Sequence, residues 1–241
     1  NAKINILKDF GLQFLITDQL ASPHAKAFWQ HTGLGASSRL AAIALNIEKV
    51  PSKEEGNMAR VAIKKRLGKV YGCKERLIHI YPSGMAALTA ALNTIKAIYP
   101  NRKTMQIGFP YVDVLKLPQV IFEGGDLILN TDPNYLAEQF DTKKPSAVII
   151  EIPSNPMLKC VDLKKISELA RNRGIPVIVD DTIGSPLNVD VLPYADLIFG
   201  SLTKSFAGRG DVLAGSLVIN PKSKWNSEIT ESILNSYISH L

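Results

Sequence analysis

Cysteine is scarce in this sequence, and its scarcity excludes several protein classes. The 241 residues contain only Cys73 and Cys160. Two cysteines cannot form a disulfide framework, and their spacing is not that of a metal site, so we expect no bound metal. Reduced cysteines suit a reducing compartment, which predicts a cytoplasmic protein.

Long apolar stretches are missing as well. No run approaches the roughly 20 residues that cross a bilayer, and no basic-then-apolar signal segment opens the chain. We therefore expect no membrane partner. The chain starts at Asn1 rather than at methionine, which is consistent with a piece of a longer protein.

Nucleic-acid and nucleotide motifs are not found either. The net charge of +6 raises the possibility of an anionic partner. However, the basic residues form short pairs such as Lys143-Lys144, without interleaved aromatic residues, and solvated helix faces explain such pairs better. The G-x-G-x-x-G and G-K-S/T signatures of nucleotide-binding loops are also missing. We expect no nucleic-acid partner.

What the sequence does contain is a regular alternation of strand-like and helix-like segments. Seven short apolar runs predict buried strands; they lie at residues 77–81, 105–109, 119–122, 147–151, 176–180, 196–200 and 216–220. Helical patterns are found at residues 38–47, 58–70, 85–99, 135–140 and 162–173. Strands buried on both faces and separated by helices predict an α/β fold, with a mostly parallel seven-stranded sheet and helices on both faces.

The same alternation suggests how the chain is divided. Residues 1–57 are predicted to form an N-terminal helical segment or arm, of which the first 35 residues have no clear pattern. Residues 58–241 are predicted to form one large domain. In such sheets ligands bind beyond the carboxyl ends of the strands, so candidate site residues are those that directly follow a strand.

Three such positions carry unusual residues. Pro82-Ser83-Gly84 joins a strand to an alanine-rich helix whose first N–H groups could hold a phosphate, although it could equally be only a tight turn. Asp180 ends an apolar strand and needs a cation or a donor, unless it or Asp181 only caps the next turn. Lys204 follows another strand, where an exposed loop lysine is the ordinary alternative.

The combination of the three is more informative than any one of them. Pyridoxal phosphate needs a lysine for a Schiff base, an acid at its pyridinium nitrogen and a cradle for its phosphate. Lys204, Asp180 and the turn at Gly84 are expected to meet at one edge of one sheet. The sequence therefore predicts a pyridoxal 5'-phosphate site.

Four ordered motifs strengthen this prediction. PSGMAAL, EIPSNPMLKCVDL, VIVDDTIGSP and SLTKSFAGRGDVLAGSLV, within residues 71–220, resemble the Cys/Met-metabolism enzymes that use pyridoxal phosphate. GFPYVDVLKL and VLPYADLI are most similar to the fungal type of cystathionine γ-synthase. The resemblance implies the large domain of the fold type I pyridoxal-phosphate transferases.

The resemblance also implies roles for residues around the cofactor ring. Lys204 would bind the cofactor covalently and then act as the proton shuttle, and Tyr111 would stack on the ring as a second catalytic residue. Asp180 would pair with the pyridinium nitrogen. Asn155 would lie near the phenolic oxygen of the cofactor.

For the phosphate, the resemblance implies four contacts within this chain. Gly84 and Met85 would donate backbone N–H groups, and Ser201 and Thr203 would add hydroxyls. The Y-x-R segment, which in the family reaches the phosphate of a neighbouring subunit, has no clean match here. Arg39 of the segment SSR is the candidate for that cross-subunit contact.

The implied reaction is γ-replacement, in which cysteine displaces the acyl group of an O-acylhomoserine to give cystathionine. A cystathionine γ- or β-lyase and a non-catalytic homologue with an assembly role are the alternatives. The implied partners are these small amino acids and further copies of the chain, as a homodimer or homotetramer. Because the family has a further C-terminal domain after the glycine-rich segment, we expect this chain to lack that domain and normal turnover with it.

Overall fold

The computed structural model describes residues 2–7, 12–49, 51–210 and 212–238. In chain order the strands are β1 Ala2–Leu7, β2 Leu12–Thr17, β3 Ile78–Tyr81, β4 Thr104–Ile107, β5 Gly125–Ile128, β6 Val148–Glu151, β7 Val177–Asp180, β8 Leu197–Ser201 and β9 Gly215–Ile219. The helices are α1 Ser22–Thr32, α2 Ser38–Ala44, α3 Lys53–Tyr71, α4 Gly84–Ile98, α5 Val112–Ile121, α6 Pro133–Lys143, α7 Leu163–Asn172, α8 Ser185–Asn188 and α9 Asn226–Ile238.

A seven-stranded sheet in the order β3-β9-β8-β7-β6-β4-β5 forms the centre of the structure. The strands from β5 to β8 pair in parallel, whereas β9 runs antiparallel to both β8 and β3. The predicted mostly parallel sheet is therefore confirmed. Since β9 alone runs in the opposite direction, the carboxyl ends of the other six strands meet at one edge.

Helices cover both faces of this sheet, as predicted. Alternate residues of a strand point to opposite faces, so Val148 and Ile150 of β6 join one apolar cluster with residues of α3, α6 and α7. Ile149 joins the second cluster, with residues of α4, α5 and α9. Burial of these two clusters is the main favourable term in the stability of the fold.

One strand prediction was wrong. Residues 119–122 belong mainly to α5, where Val114, Leu117 and Pro118 are buried at helical spacing. The strand at this place is β5, a few residues later, and it lies at the edge of the sheet. An edge strand is buried less completely, and Leu127 of β5 is 39% exposed. Its sequence therefore lacks the continuous apolar run that marks a central strand.

The other six strand predictions and the helical predictions are confirmed to within a few residues at each end. The bounds of α7 could be predicted because both of its ends carry clear sequence signals. At its start, the Asp162 carboxylate accepts a hydrogen bond from the Lys165 N–H at 2.9 Å. After this helix, Gly174 takes the left-handed backbone conformation with φ of 73°. An Asp N-cap is a common signal for the start of a helix, and a left-handed glycine is a common signal for its end.

The N-terminal segment is not purely helical. Strands β1 and β2 pair as an antiparallel hairpin in which Ala2 lies opposite Thr17. Helix α3 begins at Lys53, because Ser52 and Glu55 form a reciprocal capping box. The predicted division at residue 57 therefore falls inside a helix, and the two-part organisation stays a prediction. Among the helices that the structure describes, none has the length and apolarity of a membrane span.

Candidate active site

The register of the sheet brings four of the predicted segments to one edge. Tyr81 at the end of β3 and Ser201 at the end of β8 both lie opposite Gly215, the first residue of β9. Glu151 at the end of β6 lies opposite Asp180 at the end of β7. The residues that follow β3, β6, β7 and β8 therefore emerge side by side.

Helix α4 begins at this edge with a well-defined cap. Ser83 is its N-cap, and its Oγ accepts a hydrogen bond from the Ala86 N–H at 3.0 Å. The same hydroxyl donates to the carbonyl oxygen of Gly33 at 2.9 Å. Gly84 and Met85 occupy the first helical positions, whose N–H groups have no acceptor within a helix. These N–H groups and the positive end of the helix dipole suit an anion.

Two glycines allow the start of α4 to approach the sheet closely. A Cβ added to Gly84 would lie 3.0 Å from both Cα and Cβ of Ser201, and a Cβ added to Gly215 would overlap the Ser83 carbonyl. The backbone of the turn therefore lies directly against the end of β8. This contact brings together three of the predicted phosphate contacts, namely Gly84, Met85 and Ser201.

Asp180 is a buried carboxylate, 4% exposed, at the end of a strand. Burial raises its pKa to about 6, while hydrogen bonds from Thr182 act in the opposite direction. One of these bonds, from the Thr182 N–H to Asp180 Oδ1, measures 3.0 Å, so Asp180 does cap its turn. The Thr182 hydroxyl in turn accepts a hydrogen bond from the Ser201 N–H at 2.9 Å. Thr182 thus joins the ends of β7 and β8.

Asp181 has a partner of its own, which sequence reasoning missed. The Tyr71 hydroxyl donates to Asp181 Oδ2 at 2.5 Å, and both side chains are buried. Burial raises the pKa of Asp181 to about 7; the nearby Asp180 adds to this rise and the Tyr71 hydrogen bond opposes it. A Cβ at position 200 would lie 2.8 Å from Asp181 Oδ1, so Gly200 leaves room for this carboxylate.

Glu151 is a third buried carboxylate at this edge and was also missed. It is 6% exposed, and burial together with the charge of Asp180 raises its pKa to about 7. Its Oε2 accepts the Tyr111 N–H at 2.6 Å, and the backbone N–H groups of Tyr111 and Asn155 act to lower its pKa. The available signal was the acidic first residue of the EIPSNP motif, at the end of a buried strand. Glu151 thus holds the backbone of Tyr111, one of the predicted cofactor contacts.

The side chains of Tyr111 and Asn155 reach towards solvent. Tyr111 is the N-cap residue of α5 and is 40% exposed. Burial, followed by a hydrogen bond to the Asp113 carboxylate and its charge, raises the pKa of the Tyr111 phenol. Asn155 is exposed in the turn after β6. Both lie at the edge that carries Asp180.

Lys204 lies in the turn directly after β8, and its side chain is exposed. The hydroxyl of Thr203 has local partners: it donates to the Ala214 carbonyl at 3.3 Å and accepts the Ala214 N–H at 3.2 Å. It therefore closes the glycine-rich segment that connects β8 to β9. The predicted phosphate contact of Thr203 stays a prediction.

Arg39 is exposed on α2 and does not follow any of the strands of the seven-stranded sheet. Its predicted contact is with the phosphate of a neighbouring subunit, which a single chain does not test. In the described part of the chain, no three metal-ligating side chains come together.

The residues at this edge fit pyridoxal phosphate. The start of α4 and the close approach of Gly84 and Gly215 to their neighbours form an anion cradle. Asp180 is a desolvated carboxylate that a pyridinium N–H would stabilise. Lys204, which carries an amine, lies in the turn after β8 at the same edge. The fold and the site together define a pyridoxal-phosphate-dependent enzyme.

Comparison with known proteins leads to the particular family. The model of the Cys/Met metabolism PLP-dependent enzymes matches residues 52–236. The chain belongs to this family, which confirms the resemblance seen in its motifs.

Individual relatives agree with this assignment. Cystathionine gamma-synthase of Saccharomyces cerevisiae is 36% identical over 172 residues, which cover 61% of this chain and 26% of the yeast protein. L-2-amino-4-chloropent-4-enoate dechlorinase/desaturase of Streptantibioticus cattleyicolor is 32% identical over 222 residues, covering 85% of this chain and 44% of that protein. The chain thus spans between about a quarter and somewhat under half of these relatives' lengths.

Among solved structures, cystathionine gamma synthase of Xanthomonas oryzae pv. oryzae in complex with aminoacrylate and cysteine is similar, with a TM-score of 0.64 and 26% identity. The match covers 78% of this chain and 49% of that one. Methionine gamma lyase CalE6 of Micromonospora echinospora gives a TM-score of 0.58 at 26% identity, over 71% of this chain and 46% of that one.

Proposed function

We propose that the protein catalyses γ-replacement on an O-acylhomoserine, with cysteine as the incoming thiol and cystathionine as the product. The observation that carries this proposal is the placement of Lys204, Asp180 and the Gly84 turn at one edge of the sheet. Yeast cystathionine gamma-synthase, a relative at 36% identity, supports the choice of reaction.

Within this proposal, bound pyridoxal phosphate supplies an electron sink that acidifies the protons at Cα of an amino-acid substrate. Asp180 holds a proton on the ring nitrogen, which keeps that sink effective. Lys204 would take and return the proton at Cα as a general base and acid. The backbone N–H groups of Gly84 and Met85 hold the phosphate, with the Ser201 and Thr203 hydroxyls beside them.

Tyr111 and Asn155 orient the ring. The Tyr111 side chain would stack on the ring, and Asn155 would hold its phenolic oxygen. Glu151 holds the backbone N–H of Tyr111, so a buried carboxylate fixes the start of α5 beside the ring. Arg39 is proposed to reach the phosphate of a neighbouring copy.

Product analysis tests this proposal. The protein, reconstituted with pyridoxal phosphate, is incubated with O-acetylhomoserine and cysteine, and cystathionine is quantified by mass spectrometry. Cystathionine formation supports the proposal if it is lost in Lys204→Ala, even at a rate well below normal turnover. Cystathionine breakdown without synthesis would instead identify a lyase, and no cofactor absorbance in the wild type would count against the whole site.

Elimination is the second candidate, and one observation favours it. One relative, which is 32% identical over 85% of this chain, is a dechlorinase/desaturase rather than a synthase. The same Lys204 and Asp180 would serve elimination, since both reactions begin with proton removal at Cα. Release of ammonia and a keto acid from cystathionine, measured in a coupled assay, separates the two reactions.

We also propose that the protein works in the cytoplasm as a homodimer or homotetramer. The low cysteine content supports the compartment. Exposed apolar side chains on the hairpin, including Ile4 and Ile16 at 63% each, support self-association. Light scattering coupled to size-exclusion chromatography measures the oligomeric state.

A further inference from the structure

Thr182 makes two hydrogen bonds that lead to different parts of the candidate cofactor site. Its backbone N–H donates to Asp180 Oδ1 at 3.0 Å and so restrains that buried carboxylate. Its hydroxyl oxygen accepts the Ser201 N–H at 2.9 Å. Asp180 is the candidate partner of the ring nitrogen, and Ser201 is a candidate contact of the phosphate. Thr182 therefore lies between the groups that would hold the two ends of the cofactor.

The hydroxyl bond takes the place of a backbone bond in the sheet. Between the parallel strands β7 and β8, the Asp181 N–H donates to the Phe199 carbonyl at 3.3 Å. In a regular parallel ladder the next bond would run from the Ser201 N–H to the Asp181 carbonyl. That carbonyl instead accepts the Ser185 N–H at 2.7 Å, in the turn that follows β7. The Thr182 side chain thus supplies the acceptor that the backbone no longer provides.

Ser201 is in turn packed against the start of α4. A Cβ added to Gly84 would lie 3.1 Å from the Ser201 nitrogen, so the two backbones are in close contact. Ser201 also lies opposite Gly215, where an added Cβ would overlap the Ser83 carbonyl. Because the packing is this close, a shift of the Ser201 backbone would be transmitted to the N–H groups of Gly84 and Met85.

We propose that Thr182 is a positioning residue that sets the spacing between Asp180 and the phosphate cradle. Gly84, Met85 and Ser201 form this cradle, and the inference rests on their proposed role at pyridoxal phosphate. The Thr182 hydroxyl acts through the Ser201 backbone and needs no contact with the cofactor itself. Hydrogen bonds that order a binding group before the ligand arrives reduce the ordering cost of binding. The hydroxyl therefore strengthens the binding of the phosphate group.

The competing interpretation is that Thr182 only fastens the end of β8 to the turn after β7. Both interpretations predict a lower thermal midpoint of unfolding when the hydroxyl is removed, because the Ser201 N–H loses its acceptor. They differ in the dependence on the ligand. A fastening bond affects ligands with and without a phosphate equally, whereas a positioning bond affects the phosphate contribution. Pyridoxal, which has no phosphate, separates the two interpretations.

Absorbance titration of the apo chain gives the dissociation constants of pyridoxal and of pyridoxal phosphate. The ratio of the first constant to the second measures what the phosphate contributes to binding. We expect Thr182→Val, which keeps the backbone N–H, to reduce this ratio about tenfold, as for the loss of one hydrogen bond to a charged group. Thr182→Ser keeps the hydroxyl and should give the wild-type ratio.

Ser167→Ala is the matched control. The Ser167 hydroxyl is buried and donates to the Tyr194 carbonyl at 2.7 Å, so it fastens α7 to the segment before β8, at the other edge of the sheet. Its removal should lower the thermal midpoint of unfolding and leave the ratio of the two dissociation constants unchanged.

A ratio in Thr182→Val equal to that of wild type overturns the proposal, and so does a lowered ratio that Thr182→Ser shares. If Thr182→Val is too unstable to purify, Thr182→Ala removes the same hydroxyl and has the same expected and contrary results. A wild type that binds both ligands equally would contradict the phosphate cradle, and this proposal with it. No amino-acid substrate is used, so the result is independent of whether the proposed reaction is found.

Amide NMR of the apo chain gives a second readout, which needs no cofactor. We expect Thr182→Val to displace the 1H–15N signals of Ser201, Gly84 and Met85, and Thr182→Ser to leave them near their wild-type positions. Ser167→Ala should displace none of the three. A displaced Ser201 signal with unchanged Gly84 and Met85 signals would show that the effect of the hydroxyl ends at β8, which contradicts positioning and supports fastening.

Discussion

The candidate site has two halves that differ in how they are held. The carboxylates Glu151, Asp180 and Asp181 are buried, with exposures of 6%, 4% and 2%, and each has a hydrogen-bond partner from the chain. The side chains of Lys204 and Asn155 are exposed at the same edge. We infer that the buried half is preorganised by the fold, and that the exposed half obtains its contacts from cofactor and substrate.

The largest expected effect is in the exposed half. Replacing Lys204 with alanine should abolish the visible absorbance of bound cofactor and lower turnover by at least about 1,000-fold, since it removes both the covalent anchor and the proton shuttle. The thermal midpoint of the apo chain should not change, because the side chain is solvent-exposed. Lys222→Ala, at an exposed lysine, is the matched control. A lowered apo midpoint would show that Lys204 also supports the fold.

Asp180→Asn should have the next largest effect, and it probes the buried half. Turnover should fall by about 100-fold or more, because a neutral amide does not keep the ring nitrogen protonated. At pH 8 the apo chain should be at least as stable as wild type, since the amide avoids the cost of burying a charge while still accepting the Thr182 N–H. Calorimetry of the apo chain and steady-state kinetics test both parts. A large loss of apo stability would contradict the burial argument.

The buried half also predicts a pH dependence of stability. The pKa values of Glu151, Asp180 and Asp181 are raised to about 7, 6 and 7, so the folded chain binds more protons than the unfolded chain above about pH 4. Stability of the apo chain therefore falls as the pH rises from about 4 to 7, by roughly 2–3 kcal/mol for one such group.

Urea unfolding of the apo chain at a series of pH values measures this slope. Asp181→Asn should flatten it, and Asp162→Asn, which alters a solvent-exposed helix cap, should leave it unchanged. A free energy of unfolding that rises with pH over this range would show that the three carboxylates are not the controlling groups.

The smallest expected effect concerns the Tyr71 contact. Tyr71→Phe leaves Asp181 buried without its hydroxyl donor and should lower the free energy of unfolding by about 1–3 kcal/mol. Tyr135→Phe, at a 37% exposed tyrosine, should change it by less than about 0.5 kcal/mol. If the two variants have equal stability, the Tyr71–Asp181 bond contributes little to the fold.

Most of the fold could be predicted from the sequence because central strands and amphipathic helices leave periodic signals. Six of the seven sheet strands were found in this way, and the edge strand β5 was not, since partial burial weakens its apolar pattern. The candidate residues Lys204, Asp180 and Gly84 were chosen from the sequence because each lies at the end of a strand or shortly after it. Parallel pairing then brings such residues to one edge.

The sequence by itself thus determined the alternation of strands and helices, the family and the cofactor, since these follow from local patterns and ordered motifs. Only the tertiary structure decided which polar groups meet. The Tyr71–Asp181 and His31–Asp113 contacts join residues 110 and 82 positions apart, and no local spacing encodes them. Such pairs are set by how α3 and α1 pack against the sheet edge and α5, and their hydrogen bonds are strong because packing has removed water.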